Sequence, residues 1–354
     1  MSVIVVSNRV ARIKPDAPIA GGLAAALLPM VRDSGAIWVG SSGQPRDVTQ
    51  TGDVTQTREF AKIESLGAGA LATVDMPAKH YRGFYEGFAN SALWPTLHSR
   101  PDLIHVTADD YTSYREVNAF MARALLRFNG PEAVFWIQDY HFLMLGEELR
   151  RLEVNRPLGF FLHTPWAARR TFAAVPHHAE LAEAMLAYDL IGFQTVEDRR
   201  NFEDYLQAEL GLNVVDGTVA SEWGLTQLAT FPIGIDVEDF SARAIKAVGR
   251  PEVVRLRESL QGAKLLLGVD RLHARTRTVI EAPNLAVAGG GAVARQHQGL
   301  PRAQGRTRRP GRRGQRPPRR SRLDADPLSE QGLFAAQARR LLPRGGRRSG
   351  HAAA

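Results

Sequence analysis

The chain has no cysteine, so neither a disulfide framework nor a thiolate metal site holds its fold together. Nowhere is there an apolar run of roughly 18 residues, the length that a membrane-spanning helix needs. The first residues offer only the short apolar stretch Val3-Ile4-Val5-Val6 before Asn8 and Arg9, with no basic segment ahead of it and no cleavage-site pattern. These absences set the expectation of a cytoplasmic protein with no membrane partner. What is present is enough apolar material for real cores: 44% hydrophobic residues in a chain of 354, a length that suggests two domains.

The charge is spread unevenly. Residues 273–354 hold 18 Arg and no Lys against two Asp and two Glu, a balance of +14; with +8 for the whole chain, residues 1–272 carry −6. An acidic body is thus joined to a strongly basic tail, and the two are read separately.

In the body, short apolar runs alternate with amphipathic stretches, the pattern of a parallel sheet with crossover helices. The runs place strands at 3–7, 36–40, 133–139, 158–163, 190–195, 228–233 and 264–270. Most are unbroken Val/Ile/Leu/Phe segments, as strands covered on both faces are. Helices are expected at 23–32, 113–127, 142–152, 179–188, 196–210 and 252–260. The fold class this implies is α/β, a Rossmann-like, doubly wound parallel sheet.

Ligands of such sheets bind beyond the carboxyl ends of the strands, and five clusters lie there. Ser7-Asn8-Arg9 follows the first strand, and a loop then reaches Ala20-Gly21-Gly22-Leu23 at a helix start. Paired glycines there let backbone N–H groups approach a phosphate, although they serve equally as plain turn residues. Phe84-Tyr85-Glu86-Gly87-Phe88-Ala89-Asn90 leads into Leu93-Trp94-Pro95, either a platform for a sugar ring or core packing. Asp139-Tyr140-His141 ends one strand and His163-Thr164-Pro165-Trp166 ends another. Buried apolar strands rarely finish in Asp or His without a partner, which suggests a shared pocket. Asp139, His141 and His163 also read as metal ligands, but no paired-His helix motif supports that, and His141 alone reads as a helix cap. Last comes Gly268-Val269-Asp270-Arg271-Leu272, where an arginine fork suits either a diphosphate or a surface ion pair.

In this order, over about residues 1–272, the clusters resemble the trehalose-6-phosphate synthase family. The resemblance rests on Val5-Val6-Ser7-Asn8-Arg9, Gly21-Gly22-Leu23-Ala24, Asn90 with Trp94-Pro95, Trp136 to His141, Gly159 to Pro165, Asp189 to Thr195 and Phe231 to Ile235. It implies a retaining glycosyltransferase of two Rossmann-like domains, the GT-B type, that moves glucose from UDP-glucose or another nucleotide-glucose to glucose-6-phosphate with no metal or other cofactor. By position, Arg9, Tyr85 and Trp94 match acceptor contacts, and Asp139 the residue that orients acceptor hydroxyls. His163 matches the contact to the donor glucose near the reacting centre, and Gly22 and Arg271 match groups that hold the donor diphosphate. Asp139 and His163 are thereby the expected catalytic pair.

Two departures qualify this. Ser41 stands where the family often has a second tryptophan. Directly after Leu272 the chain reads His273-Ala274-Arg275-Thr276-Arg277, without the lysine that would join Arg271 on the donor phosphates. The expected organisation is an acceptor-binding domain over 1–225, the start of a truncated nucleotide-sugar domain over 226–272, and an Arg/Gly/Pro-rich tail over 273–354. A chain so poor in large apolar residues cannot offset the ordering entropy of its backbone, so the tail reads as disordered or as an out-of-frame translation of a GC-rich gene. Activity of this chain would then be lost with the donor domain, and strand 264–270 would be left with unpaired edges. Nucleic-acid binding by the tail is the weaker alternative because it lacks interleaved aromatics. An acceptor of the glycerol-3-phosphate type is another, and an oligomer stays open.

The tail reading makes one prediction: brief digestion with trypsin should cut beyond residue 272 before it cuts the body, as mass spectrometry of the fragments would show. A tail that survives as long as the body would refute it.

Overall fold

The computed structural model describes residues 2–10, 22–43, 62–76, 78–261, 264–268 and 285–289. Its helices are α1 (Gly22–Ser34), α2 (Ala78–Tyr81), a π-helix (Arg82–Leu93), α3 (Trp94–Leu97), α4 (Ala108–Leu125), α5 (Leu145–Arg151), α6 (Arg169–Phe172), α7 (His178–Met185), α8 (Val196–Glu209), α9 (Val237–Ala247) and α10 (Pro251–Ser259). Strands β1 (Ser2–Arg9), β2 (Ile37–Ser41), β5 (Ala133–Gln138), β6 (Leu158–Phe161), β7 (Leu190–Phe193) and β10 (Gly224–Thr230) form the parallel centre of one sheet. Two antiparallel hairpins extend it, one at each edge. β4 (Gly69–Thr73) lies parallel to β2 and pairs with β3 (Lys62–Leu66), while β10 pairs with β9 (Thr218–Ser221) and β9 with β8 (Val214–Val215). The order is β3-β4-β2-β1-β5-β6-β7-β10-β9-β8.

The expected α/β class therefore stands, with a large, mostly parallel sheet. Alternate residues of the central strands enter different cores. Ile4, Val6, Phe135, Ile137 and Phe160 join the larger one with Phe84, Phe88 and Tyr114. Val5, Trp136 and Phe161 join the second with Trp38, Leu27 and Val31 of the β2 and α1 side. Burial on both faces is why these strands are continuous apolar runs. Each fully buried side chain of this size contributes about 1.5–3 kcal/mol against exposure.

Two helices begin on capping boxes. Thr107 accepts from Asp110 N–H, and Asp110 accepts from Thr107 N–H, ahead of α4; Thr195 and Asp198 do the same ahead of α8. Asp198 also accepts from Trp166 N–H at 2.9 Å, which ties the segment after β6 to the start of α8. Asp189 is structural too: its Oδ2 accepts from Arg150 Nη2 and from Leu158 N–H, each at 2.8 Å.

The chain divides into two units, the first running through Ile235 and the second beginning at Asp236. β10 belongs to the sheet of the first. In the second, β11 (Lys264–Gly268) pairs in parallel with β12 (Leu285–Gly289), so the expectation of two unpaired edges for that strand is corrected: β12 supplies one partner, from within the segment read as tail. No helix among the described residues is long and apolar enough to cross a membrane.

Close approach at the end of β1 fixes one residue type. A Cβ on Gly40 would lie 2.5 Å from the backbone oxygen of Ser7 and 3.1 Å from Val10 N, and backbone cannot swing aside as a flexible side chain can. Gly40→Ala should therefore destabilise the fold by about 1–3 kcal/mol, measured as a lower urea midpoint; an unchanged midpoint would contradict this packing.

Candidate active site

The strand order reverses between β1 and β5: from β1 the chain proceeds outward to β2 on one side, and from β5 outward to β6 and β7 on the other. A crevice opens at such a switch point beyond the carboxyl ends, and the residues that follow β1, β5 and β6 meet there. After β5, Asp139 takes φ 73° and ψ 166°, a region that only glycine enters without strain. Four hydrogen bonds from buried side chains hold the turn beyond it. Tyr114 OH donates to Tyr140 O at 2.7 Å and accepts from Leu143 N–H at 3.1 Å. Asn118 Nδ2 donates to His141 O at 3.3 Å and Tyr188 OH to Phe142 O at 2.6 Å.

On the β1 side, Arg9 Nε donates to Tyr81 OH at 2.8 Å while its guanidinium carbon lies 4.7 Å from the centre of the Tyr85 ring. Tyr81 and Tyr85 stack at 5.3 Å, Tyr85 stacks on His141 at 5.7 Å, and His141 on Tyr140 at 4.2 Å. Tyr140 continues to Trp94 at 5.7 Å and donates from its hydroxyl to Asn90 Oδ1 at 2.9 Å. Arg9, Tyr85 and Trp94 are therefore parts of one wall, headed by a guanidinium. The stretch 84–94 serves both of its expected uses: Phe84 and Phe88 are core, whereas Tyr85, Asn90 and Trp94 are half-buried.

The β5 and β6 ends are joined by backbone and side chain. Asp139 N–H donates to Phe161 O at 2.8 Å, and His163 N–H to Asp139 Oδ1 at 3.3 Å. His163 Nε2 lies 2.9 Å from Gln138 Oε1, and Gln138 Nε2 is turned to Trp136 O. An amide oxygen only accepts, so Nε2 carries the imidazole proton and Nδ1 the lone pair. Burial pushes His163 down to about 4 and, with a smaller contribution from Arg9, pushes His141 down to about 3. Both imidazoles are neutral at pH 7. Asn8 Oδ1, His141 Nε2 and Thr164 Oγ1, all at these strand ends, are buried with no hydrogen-bond partner among the described residues.

Asp139 and His163 are thus brought together, as are Arg9, Tyr85 and Trp94. Gly22 is the first residue of α1, and Arg271 lies outside the described residues. Ser41, buried, accepts from Gly43 N–H through its hydroxyl at 3.2 Å. The reading of His141 as a helix cap is corrected: the turn Tyr140–Phe142 has no side-chain cap, and the ring is stacked between Tyr85 and Tyr140. Among the described residues no three His, Asp or Glu side chains group as metal ligands. Reading the sequence missed Tyr81 and Gln138, the partners of Arg9 and His163. Tyr81 falls four residues before Tyr85, the only trace of it in the sequence.

The description of glycosyltransferase family 20 matches residues 7–280. A trehalose-6-phosphate synthase of Klebsiella pneumoniae is 35% identical over 270 residues, which are 76% of this chain and 55% of that protein. A UDP-forming α,α-trehalose-phosphate synthase of Burkholderia vietnamiensis superposes with a TM-score of 0.69 at 36% identity, covering 76% of this chain and 56% of the other. Another from Burkholderia xenovorans, solved with glucose-6-phosphate, gives 0.69 at 34% identity, with 77% and 58% covered. The chain spans about half the length of these relatives.

Depressed imidazoles make stability depend on pH. The unfolded chain takes up protons near pH 6.5, where the folded His163 does not until about 4, so stability present above pH 6.5 should fall as pH drops towards 4. Urea midpoints measured between pH 7 and 4 should show that fall, and His163→Gln should flatten it. An equal slope in both proteins would reject the assignment.

Proposed function

The chain belongs to glycosyltransferase family 20, and on that premise we propose that its first unit is the acceptor half of a trehalose-6-phosphate synthase, an enzyme that moves glucose from UDP-glucose to glucose-6-phosphate. The observation that carries the proposal is the wall running from Arg9 through Tyr85, His141 and Tyr140 to Trp94. A guanidinium at one end suits a phosphate, which its planar fork meets with two parallel hydrogen bonds. Aromatic faces and polar edges along the rest suit a hexose ring. The Burkholderia xenovorans relative was solved with glucose-6-phosphate, a ligand of that shape.

On this reading Arg9 takes the acceptor phosphate, Tyr85 and Trp94 flank the sugar, and the Asp139 carboxylate accepts from acceptor hydroxyls. His163, neutral and anchored by Gln138, contacts the donor glucose. The N-terminus of α1 at Gly22 and the arginine at 271 hold the donor diphosphate, the first through backbone N–H groups and the helix dipole. In the transfer, the bond between donor C1 and the diphosphate oxygen breaks, a bond from C1 to the acceptor's anomeric oxygen forms, and the acceptor proton leaves on UDP. No protein nucleophile takes part; catalysis is positioning and stabilisation of phosphate charge. Because the family match ends at residue 280, this chain is proposed to bind the acceptor without completing the transfer.

Calorimetric titration with glucose-6-phosphate tests this directly. Binding should be seen and should weaken roughly tenfold or more in Arg9→Ala, the loss of a charge-assisted pair. UDP release in the presence of both substrates should be absent. No binding would overturn the acceptor assignment, and turnover that depends on His163 would overturn the donor part.

A further inference from the structure

We infer that Tyr81 is a positioning residue for the acceptor phosphate: it sets the orientation of Arg9 and does not touch the substrate itself. The inference rests on the acceptor reading of the wall and extends it to a residue outside the five sequence clusters. Tyr81 ends α2, is 5% exposed, and presents its hydroxyl to Arg9 Nε at 2.8 Å. The Tyr85 ring lies under the same guanidinium at 4.7 Å, with Tyr81 at 5.7 Å from it. An arginine side chain rotates about four single bonds, and ordering it costs up to about 2 kcal/mol. Two contacts remove that freedom before a ligand arrives: the hydroxyl holds one edge of the plane and the ring holds one face. Among the described residues, the edge left for a phosphate is the Nη1/Nη2 pair, the geometry that meets two oxygens at once.

Spacing explains why both tyrosines reach Arg9: four residues apart where α2 runs into Arg82–Leu93, they share one helix face, and their rings stack at 5.3 Å with 22° between planes. Tyr81 itself is buried against the core, where burial pushes its phenol up, so the hydroxyl stays protonated and accepts from Nε with a lone pair.

Tyr81→Phe keeps the ring and removes the hydroxyl. In the full chain it should weaken glucose-6-phosphate binding about five- to tenfold, the loss of a hydrogen bond to a charged group. The Arg9 Nε–H proton signal, slow to exchange in the wild-type chain, should exchange quickly in the variant, a change that a general packing role would not produce. A second comparison uses Arg9→Lys, which keeps the charge and has no Nε: in that background Tyr81→Phe should have no further effect on binding. An equal loss in both backgrounds, or an unchanged Nε–H signal, would overturn the inference. Wild-type chain that binds no glucose-6-phosphate would overturn the acceptor reading and this inference with it; wild-type binding that Arg9→Ala abolishes and Tyr81→Phe leaves intact would overturn this inference alone.

Discussion

Between Asp139 and Leu143 the backbone leaves β5 through a conformation that costs about 1–3 kcal/mol for any residue with a side chain. Four buried hydrogen bonds from Tyr114, Asn118 and Tyr188, at about 0.5–1.5 kcal/mol each, offset that cost only when most of them are made. The side chains that make them come from α4 and from the segment between α7 and β7, so the sheet's covering layer holds the turn in addition to its own Phe142 N–H to Asp139 O bond. The same turn carries the Asp139 carboxylate, the His141 ring and the Tyr140 ring. Tyr188 in turn leans on Gly146, where a Cβ would sit 2.8 Å from its ring. The site's geometry therefore depends on core residues far from any ligand.

Charge along the wall is segregated by burial. Arg9 is exposed at its end, whereas His141 and His163 lie where desolvation keeps them neutral. The nearby guanidinium adds to the pressure on His141. One cation at one end and uncharged donors and acceptors along the rest is an arrangement that matches a ligand charged at one end and hydroxylated along its length. A protonated His141 would blur that division by placing a second cation beside the first.

What the sequence shows depends on which force shapes each element. The central strands were legible because burial on both faces leaves unbroken apolar runs such as Phe135-Trp136-Ile137 and Leu190-Ile191-Gly192-Phe193. The edge hairpins were not, because Lys62 and Glu64 sit on an exposed strand whose pattern looks like a loop. The start of α4 was placed too late, at residue 113: Tyr111 already lies on the buried face, and the Thr107 and Asp110 capping box opens the helix a turn and more earlier. α9 was missed although Val237, Phe240, Ala244 and Ile245 recur at helical spacing; these residues are exposed. Within the site, Arg9, Asp139 and His163 stood out as polar residues ending apolar strands. Tyr81 and Gln138 did not, because their roles come from contacts across 72 and 25 residues of chain.

All the acceptor-side residues lie on β1, the α2 and π-helix segment, β5, β6 and the turns that follow them, within the unit that runs through Ile235. Each is held by a neighbour in that unit: Arg9 by Tyr81, the Asp139 turn by Tyr114 and Tyr188, His163 by Gln138. On the proposed reading, recognition of glucose-6-phosphate then needs nothing from beyond residue 280, where the family match ends. On the same reading donor recognition is different, because Arg271 lies outside the described residues and Gly22 offers only a helix N-terminus, worth about 0.3–1 kcal/mol to an anion at an exposed site. On that reading Asp139 serves both acceptor binding and transfer, so a loss on the donor side leaves the physical basis of acceptor binding in place, while the reverse does not hold.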